Sequence, residues 1–214
     1  EISECLVGSE MCIRDSLNAN RRSGTDNRTN LEFYQEEVER RCGICLSDPL
    51  IYEAFTYYDR EVLPYKNDDI INAHAMPGAH AALQAVQDAG LRCALFTNPS
   101  FPQGAIECRM GWGDLADAPF ELVTHMGNAT RCKPDATYYL EQLQVMGLEP
   151  HEVLMVGNDP KRDFPSPACG IQTAYVGQGK PGRATWRGTM EDFARDFNAV
   201  IEAFYEHQVA DELS

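Results

Sequence analysis

Three polar clusters in this chain hold residues of the types that could do chemistry. They are Thr97-Asn98, Lys133, and Asn158-Asp159 with Asp163 four residues further on. A hydroxyl flanked by backbone N–H groups, an ammonium, and carboxylates holding a hard cation such as Mg2+ make a phosphoryl-binding set. Such a set neutralises the non-bridging oxygens and holds the group in line for displacement. Mg2+ suits the third cluster because it takes oxygen ligands, uses one or two carboxylates and keeps several waters. Each cluster also has a plainer reading. Thr97 ends a strand or caps a helix, Lys133 is a solvated charge before a helix-opening proline, and Asn158 and Asp159 are favoured turn and cap residues.

The elements that must position these groups follow from pattern. Val153–Val156 is a four-residue apolar run closed by Gly157. It is too short for a helix and reads as a strand buried on both faces, with the glycine supplying freedom for a sharp turn. Further strands are expected at Arg92–Phe96, Phe120–Thr124 and Gln172–Val176. Helices are expected from Pro77-Gly78 to Gly90, near 101–111, over 135–147 and, as a closing amphipathic helix, from Met190 to about His207, with a short helix ending at Gly170. Strands alternating with helices at this spacing imply an α/β fold with a parallel sheet and right-handed crossovers. Ligands bind beyond the carboxyl ends of such strands, where all three clusters fall. Ahead of this core, Thr29 or Asn30 caps a helix to about Arg41, and Asp48-Pro49 opens a second helix. Together they form a small helical unit over roughly 29–64. The domain organisation expected is a helical cap at 17–75 and an α/β core at 76–214.

Composition excludes several functions. The 214 residues carry a net charge of −15, which argues against a nucleic-acid partner. No stretch approaches the ~18 apolar residues of a membrane-spanning helix. Hydrophobic content of 43% and charged content of 24% are those of a soluble globular domain. The eight cysteines are scattered through a chain too large to need disulfide staples, so a reducing cytoplasm is expected. Residues 1–16 (EISECLVGSEMCIRDS) fit nothing that follows and are expected to be a non-native segment.

The ordered motifs resemble those of the haloacid dehalogenase-like (HAD) superfamily. Leu95-Phe96-Thr97-Asn98 is similar to its second motif, Lys133-Pro134 to its third, and Val156-Gly157-Asn158-Asp159 with Asp163 to its fourth. Met76-Pro77-Gly78 is similar to the entry from a helical cap into the core, and the likeness runs from about 25 to 178. The resemblance implies a Rossmann-like core, a Mg2+-dependent phosphohydrolase activity and a small phosphorylated substrate. It implies that Thr97 and the Asn98 backbone hold the phosphoryl group. Lys133 would neutralise that group and pair with the fourth-motif acid, while Asn158, Asp159 and Asp163 form the metal set. The family more often places Asp directly after the glycine, so the direct ligand is either Asn158 or Asp159.

The first motif of that family, Asp-x-Asp-Gly-Thr at the end of a first strand, has no counterpart. Asp15 lacks a partner two residues on, and Asp26 sits in a polar loop. The expectation is a truncated chain without its aspartate nucleophile, unable to form an aspartyl-phosphate. Without that first strand, the strands ending at Thr97 and Gly157 would each face a gap. Two other functions stay open: a non-catalytic phosphate-binding protein, and another reaction on the same fold such as dehalogenation or phosphosugar mutation. Cys42-Gly43-Ile44-Cys45 has the spacing of redox and zinc sites but ends a helix rather than opening one, and no second pair follows. The five histidines are dispersed. Trp112, Tyr138 and Tyr139 read as packing residues.

Overall fold

A computed structural model describes residues 19–67, 72–179 and 183–212, with side chains to 207. Residues 1–16 lie outside the described residues. The described residues include seven α-helices and five strands. In chain order the helices are α1 (Asn30–Cys42), α2 (Pro49–Tyr57), α3 (Ala79–Asp88), α4 (Gln103–Trp112), α5 (Ala136–Met146), α6 (Met190–Arg195) and α7 (Phe197–Glu212). The strands are β1 (Ala94–Leu95), β2 (Leu122–Val123), β3 (Leu154–Gly157), β4 (Gln172–Val176) and β5 (Trp186–Gly188).

Local chemistry sets most boundaries. Thr29 caps α1 in a full capping box with Glu32, and Gly43 closes the helix in the left-handed region at φ 67°. Asp48 caps α2 ahead of Pro49, and the chain runs on through a π-helical turn (Tyr58–Val62) and a 3-10 turn (Leu63–Tyr65). Asp135 caps α5, and Gly147 ends it at φ 66°. The expected closing helix is instead two, α6 and α7, with Asp196 between them.

The chain divides into two compact units that interleave along the sequence. The first takes the described residues up to His74 with Leu95–Asp117 and Val123–Cys132; the second takes Ala75–Ala94, Ala118–Leu122 and the rest from Lys133. The division passes through β1 and β2, which pair with each other. Their five-residue expected spans shorten to two residues each.

In the second unit β3, β4 and β5 form a parallel sheet in that order, with Leu154 opposite Gln172 and Ala174 opposite Trp186. β5 carries no alternating apolar pattern and was not expected from sequence. Its core packs Ala82, Ala174, Val176, Phe193, Phe197 and Val200, with Leu154 and Val156 against the cluster. β4 is buried along Thr173–Val176, whereas Leu154–Val156 of β3 are only half-buried, so the expectation of a strand covered on both faces is corrected. The parallel α/β core expected is present, and among the described residues its strands fall into two sheets. Among the described residues these are β1–β2 and β3–β4–β5, with β1 pairing only with β2 and β3 only with β4.

Candidate functional site

The end of β3 in the second unit is built around Asp163. Its Oδ1 accepts from Lys133 Nζ at 3.0 Å, with the Lys133 side chain 7% and the Asp163 side chain 15% exposed. Its Oδ2 accepts from the backbone N–H groups of Asn158 at 3.0 Å and Asp159 at 2.9 Å. The segment 159–163 is wound tight, since the Asp163 N–H donates to the Asp159 carbonyl at 2.7 Å. Gly157 has a steric reason rather than the conformational one expected from sequence: it lies outside the positive-φ region, but a Cβ there would stand 2.5 Å from Asp163 Cβ. No side chain other than hydrogen lets that carboxylate fold back beneath the strand end.

Tyr139 of α5 holds the same loop from below. Its hydroxyl lies 2.6 Å from the Asp163 carbonyl oxygen and 3.0 Å from that of Arg162, and donates there. The ring is wholly buried and meets Tyr138 edge-on. Burial first, then the Asp163 charge, pushes the phenol well above its ordinary range, so it stays a donor at any working pH. The packing expected of Tyr138 and Tyr139 therefore includes a polar function for one of them.

Asp159 is different in kind from Asp163. Its side chain is 43% exposed; among the described residues Oδ1 accepts from the Lys161 N–H at 3.0 Å, and Oδ2 stands 3.4 Å from Arg162 Nε. Asn158 beside it is exposed. These are hard oxygens with lone pairs to spare, and Mg2+ asks for one or two carboxylates with water and phosphate completing its shell. Both Asp163 oxygens are already engaged. Among the described residues no three of His, Cys, Asp and Glu cluster together. The donor set thus fits Mg2+ as one carboxylate with a neighbouring amide. Bound there, the cation would neutralise charge on a phosphoryl oxygen.

Thr97 and Asn98 lie in the first unit. The Thr97 N–H donates to Thr124 Oγ1 at 2.8 Å and its hydroxyl to the Thr124 carbonyl at 2.6 Å, fixing the end of β1 to the end of β2. Asn98 Nδ2 donates to Ser100 Oγ at 3.3 Å, which tightens the turn into buried Pro99. The structure therefore brings Lys133, Asn158, Asp159 and Asp163 together in one unit and holds Thr97 and Asn98 in a strand-end turn of the other.

Sequence reasoning missed a buried polar hub in the first unit. Asn30 is 0% exposed and Arg131 4%. Arg22 Nη2 donates to Asn30 Oδ1 at 2.9 Å and to the Thr130 carbonyl, and Arg131 Nη2 donates to the Ser23 carbonyl at 2.7 Å. Burial, then the neighbouring Arg131 charge, lowers the Arg22 pKa from its usual value. The signal lay in residues 17–30, where four asparagines and three arginines run into a capping box. Polar runs of that kind usually mark loops. Cys42 and Cys45 are exposed free thiols.

Comparison with known proteins agrees with the sequence motifs. A phosphoglycolate phosphatase of Rhodospirillum rubrum is 30% identical over 115 residues, which are 54% of this chain and 46% of that protein. The chain thus spans under half the length of this curated relative. A β-phosphoglucomutase from Clostridium difficile superposes with a TM-score of 0.55 at 15% identity, over 92% of this chain and 91% of that one. A HAD family hydrolase from Deinococcus radiodurans, solved with bound phosphate and sodium, gives 0.51 at 17% identity over 84% and 78%. At these identities the two structures establish the α/β fold alone. The pattern that defines the haloacid dehalogenase-like hydrolases matches residues 17–169, and the chain belongs to that family.

Proposed function

We propose that the end of β3 is half of a phosphoryl-binding site, and that the protein acts on a small phosphorylated substrate with Mg2+. The observation that carries this is the Lys133–Asp163 pair at 3.0 Å, with Asp163 held by the Asn158 and Asp159 N–H groups. Asp163 orients the ammonium, whose remaining donors can meet a phosphoryl oxygen. Asp159, with Asn158 beside it, is the Mg2+ side of the site, and Asp163 is the counter-ion to Lys133. By the family motif they match, Thr97 and the Asn98 backbone are also assigned to phosphoryl binding, with residues 17–75 as cap and 76–214 as core. The curated relative carries the name of a phosphatase, which supports phosphate-ester hydrolysis over dehalogenation or mutase chemistry. The free cysteines suit a reducing cytoplasm.

The 214 residues contain no Asp-x-Asp. We infer that the chain binds a phosphoryl group without turning it over. The test is p-nitrophenyl phosphate hydrolysis by residues 1–214 and by the same chain preceded by a strand ending in Asp-x-Asp-Gly-Thr. Background rates are expected from the first and Mg2+-dependent turnover from the second. Lys133→Ala should remove about two to three orders of magnitude of that turnover. Robust hydrolysis by residues 1–214 would place the nucleophile within them and overturn this reading.

A further inference from the structure

Asn30 is the first residue of α1, and it donates and accepts in directions that have nothing to do with the helix. Its backbone N–H donates to the Ala129 carbonyl at 2.8 Å, and the next N–H, of Leu31, to the Met126 carbonyl at 2.8 Å. Its Nδ2 donates to the Arg131 carbonyl at 3.0 Å and the Pro99 carbonyl at 3.2 Å, while Oδ1 accepts from Arg22 Nη2 at 2.9 Å. Asn20 holds the following residue from both sides: Oδ1 accepts from the Cys132 N–H at 2.7 Å, and Nδ2 donates to the Cys132 carbonyl at 2.9 Å.

The acceptors fall at telling places in the chain. Cys132 immediately precedes Lys133, and Pro99 immediately follows Thr97-Asn98. A carboxamide offers two donors and an acceptor on one planar group. Asn30 can therefore donate to both segments while accepting from a guanidinium, which an aspartate or a serine of similar size cannot. The side chain is wholly buried, so each of these bonds lies where an unmade partner is costly.

We propose that Asn30, backed by Asn20, is a positioning residue that fixes the backbone entering Lys133 and the backbone leaving Thr97-Asn98. The proposal deepens the phosphoryl-site reading and rests on it for its functional consequence. Placement of this kind matters because a misplacement of about 1 Å in a binding group can cost on the order of a hundredfold in rate. Here two separate loops of the first unit, at Pro99 and at Arg131, converge on one carboxamide.

The test uses Asn30→Asp in residues 1–214. This variant keeps the acceptor for Arg22 and removes both Nδ2 donations. Amide hydrogen exchange at Cys132 and Lys133 is measured, together with titration of inorganic phosphate with Mg2+ into wild type, Asn30→Asp, Lys133→Ala and the double variant. Exchange at Cys132 and Lys133 is expected to accelerate at least tenfold while α5 and β4 amides keep their rates. Phosphate affinity should fall about tenfold in Asn30→Asp and by clearly less when Lys133 is already alanine, since only the share carried through the Thr97-Asn98 segment is then left to lose. Unchanged exchange at Cys132 and Lys133 overturns the proposal, as does an equal loss of affinity with and without Lys133. Should Asn30→Asp fail to fold, Asn20→Ala is the second variant; it touches Cys132 alone, and unchanged exchange there also overturns the clamp. Equal phosphate binding by wild type and Lys133→Ala would instead fail the phosphoryl-site reading, with the exchange rates still deciding the clamp.

Discussion

Around Asn30 the donors are amides and guanidinium groups and the acceptors are carbonyl oxygens, whereas at the end of β3 an ammonium meets a carboxylate at 3.0 Å. The first arrangement spends its donors on backbone carbonyls and an amide oxygen, and so holds backbone in place. The second carries separable charges, and a ligand with its own charge can enter the pair. Both are well covered from water, and under the proposed function the second is the one that meets a phosphoryl group. Burial of polar groups is thus not in itself a mark of a binding site; the sign and availability of the charge decide.

The sheets give the largest expected effect. β1 and β3 each pair on one side among the described residues, and exposed strand edges invite pairing with other chains. Residues 1–214 should therefore elute as mixed oligomers and unfold with little cooperativity. A monomer melting cooperatively well above about 45 °C would show that these edges are covered.

Breaking the charged region comes next. Lys133→Ala leaves Asp163 covered and without its cation, at a cost of about 3 kcal/mol in urea unfolding, because the two backbone N–H donors soften the loss. A cost under about 1 kcal/mol would reduce the pair to an ordinary surface ion pair. Gly157→Ala should cost about 1–3 kcal/mol by overpacking against Asp163. Gly43→Ala in the first unit, where a Cβ meets open space but φ is +67°, should cost only about 1 kcal/mol. Denaturation of the two variants side by side separates a steric glycine from a conformational one.

The smallest effect is acid titration of the capping boxes. The Thr189 N–H and hydroxyl, with Arg195, hold the Asp192 carboxyl down at about 2. A folded-state value below the unfolded one stabilises the fold above the ordinary carboxylate range, and that contribution is lost as pH falls through about 2. Thermal unfolding from pH 5 to 2 should show a shallower acid decline in Asp192→Asn than in wild type. Identical declines would mean the cap contributes nothing to acid stability.

How much of this was written in the sequence differs between the two regions. The β3 cluster was legible because its residues are contiguous: an apolar run, a glycine and acids within one turn. Helix ends were legible for the same reason, as Thr29/Glu32, Asp48-Pro49 and Asp135/Gly147 show. The Asn30 hub was not, because apart from Arg22 its partners, Pro99 and Ala129–Cys132, lie between 69 and 102 residues away, and carbonyl acceptors carry no side-chain signature. The steric duty of Gly157 was hidden too, since a glycine after a strand reads the same whether it turns the chain or admits a carboxylate. β5 escaped because Trp186-Arg187-Gly188 has neither length nor alternation, and its pairing is dictated by β4.

Titration of inorganic phosphate into wild type and Lys133→Ala, with and without Mg2+, followed by calorimetry, tests the central claim most directly. The phosphoryl-site account predicts saturable binding that strengthens with Mg2+ in wild type and falls at least tenfold in Lys133→Ala. Equal affinity in the two proteins would contradict it.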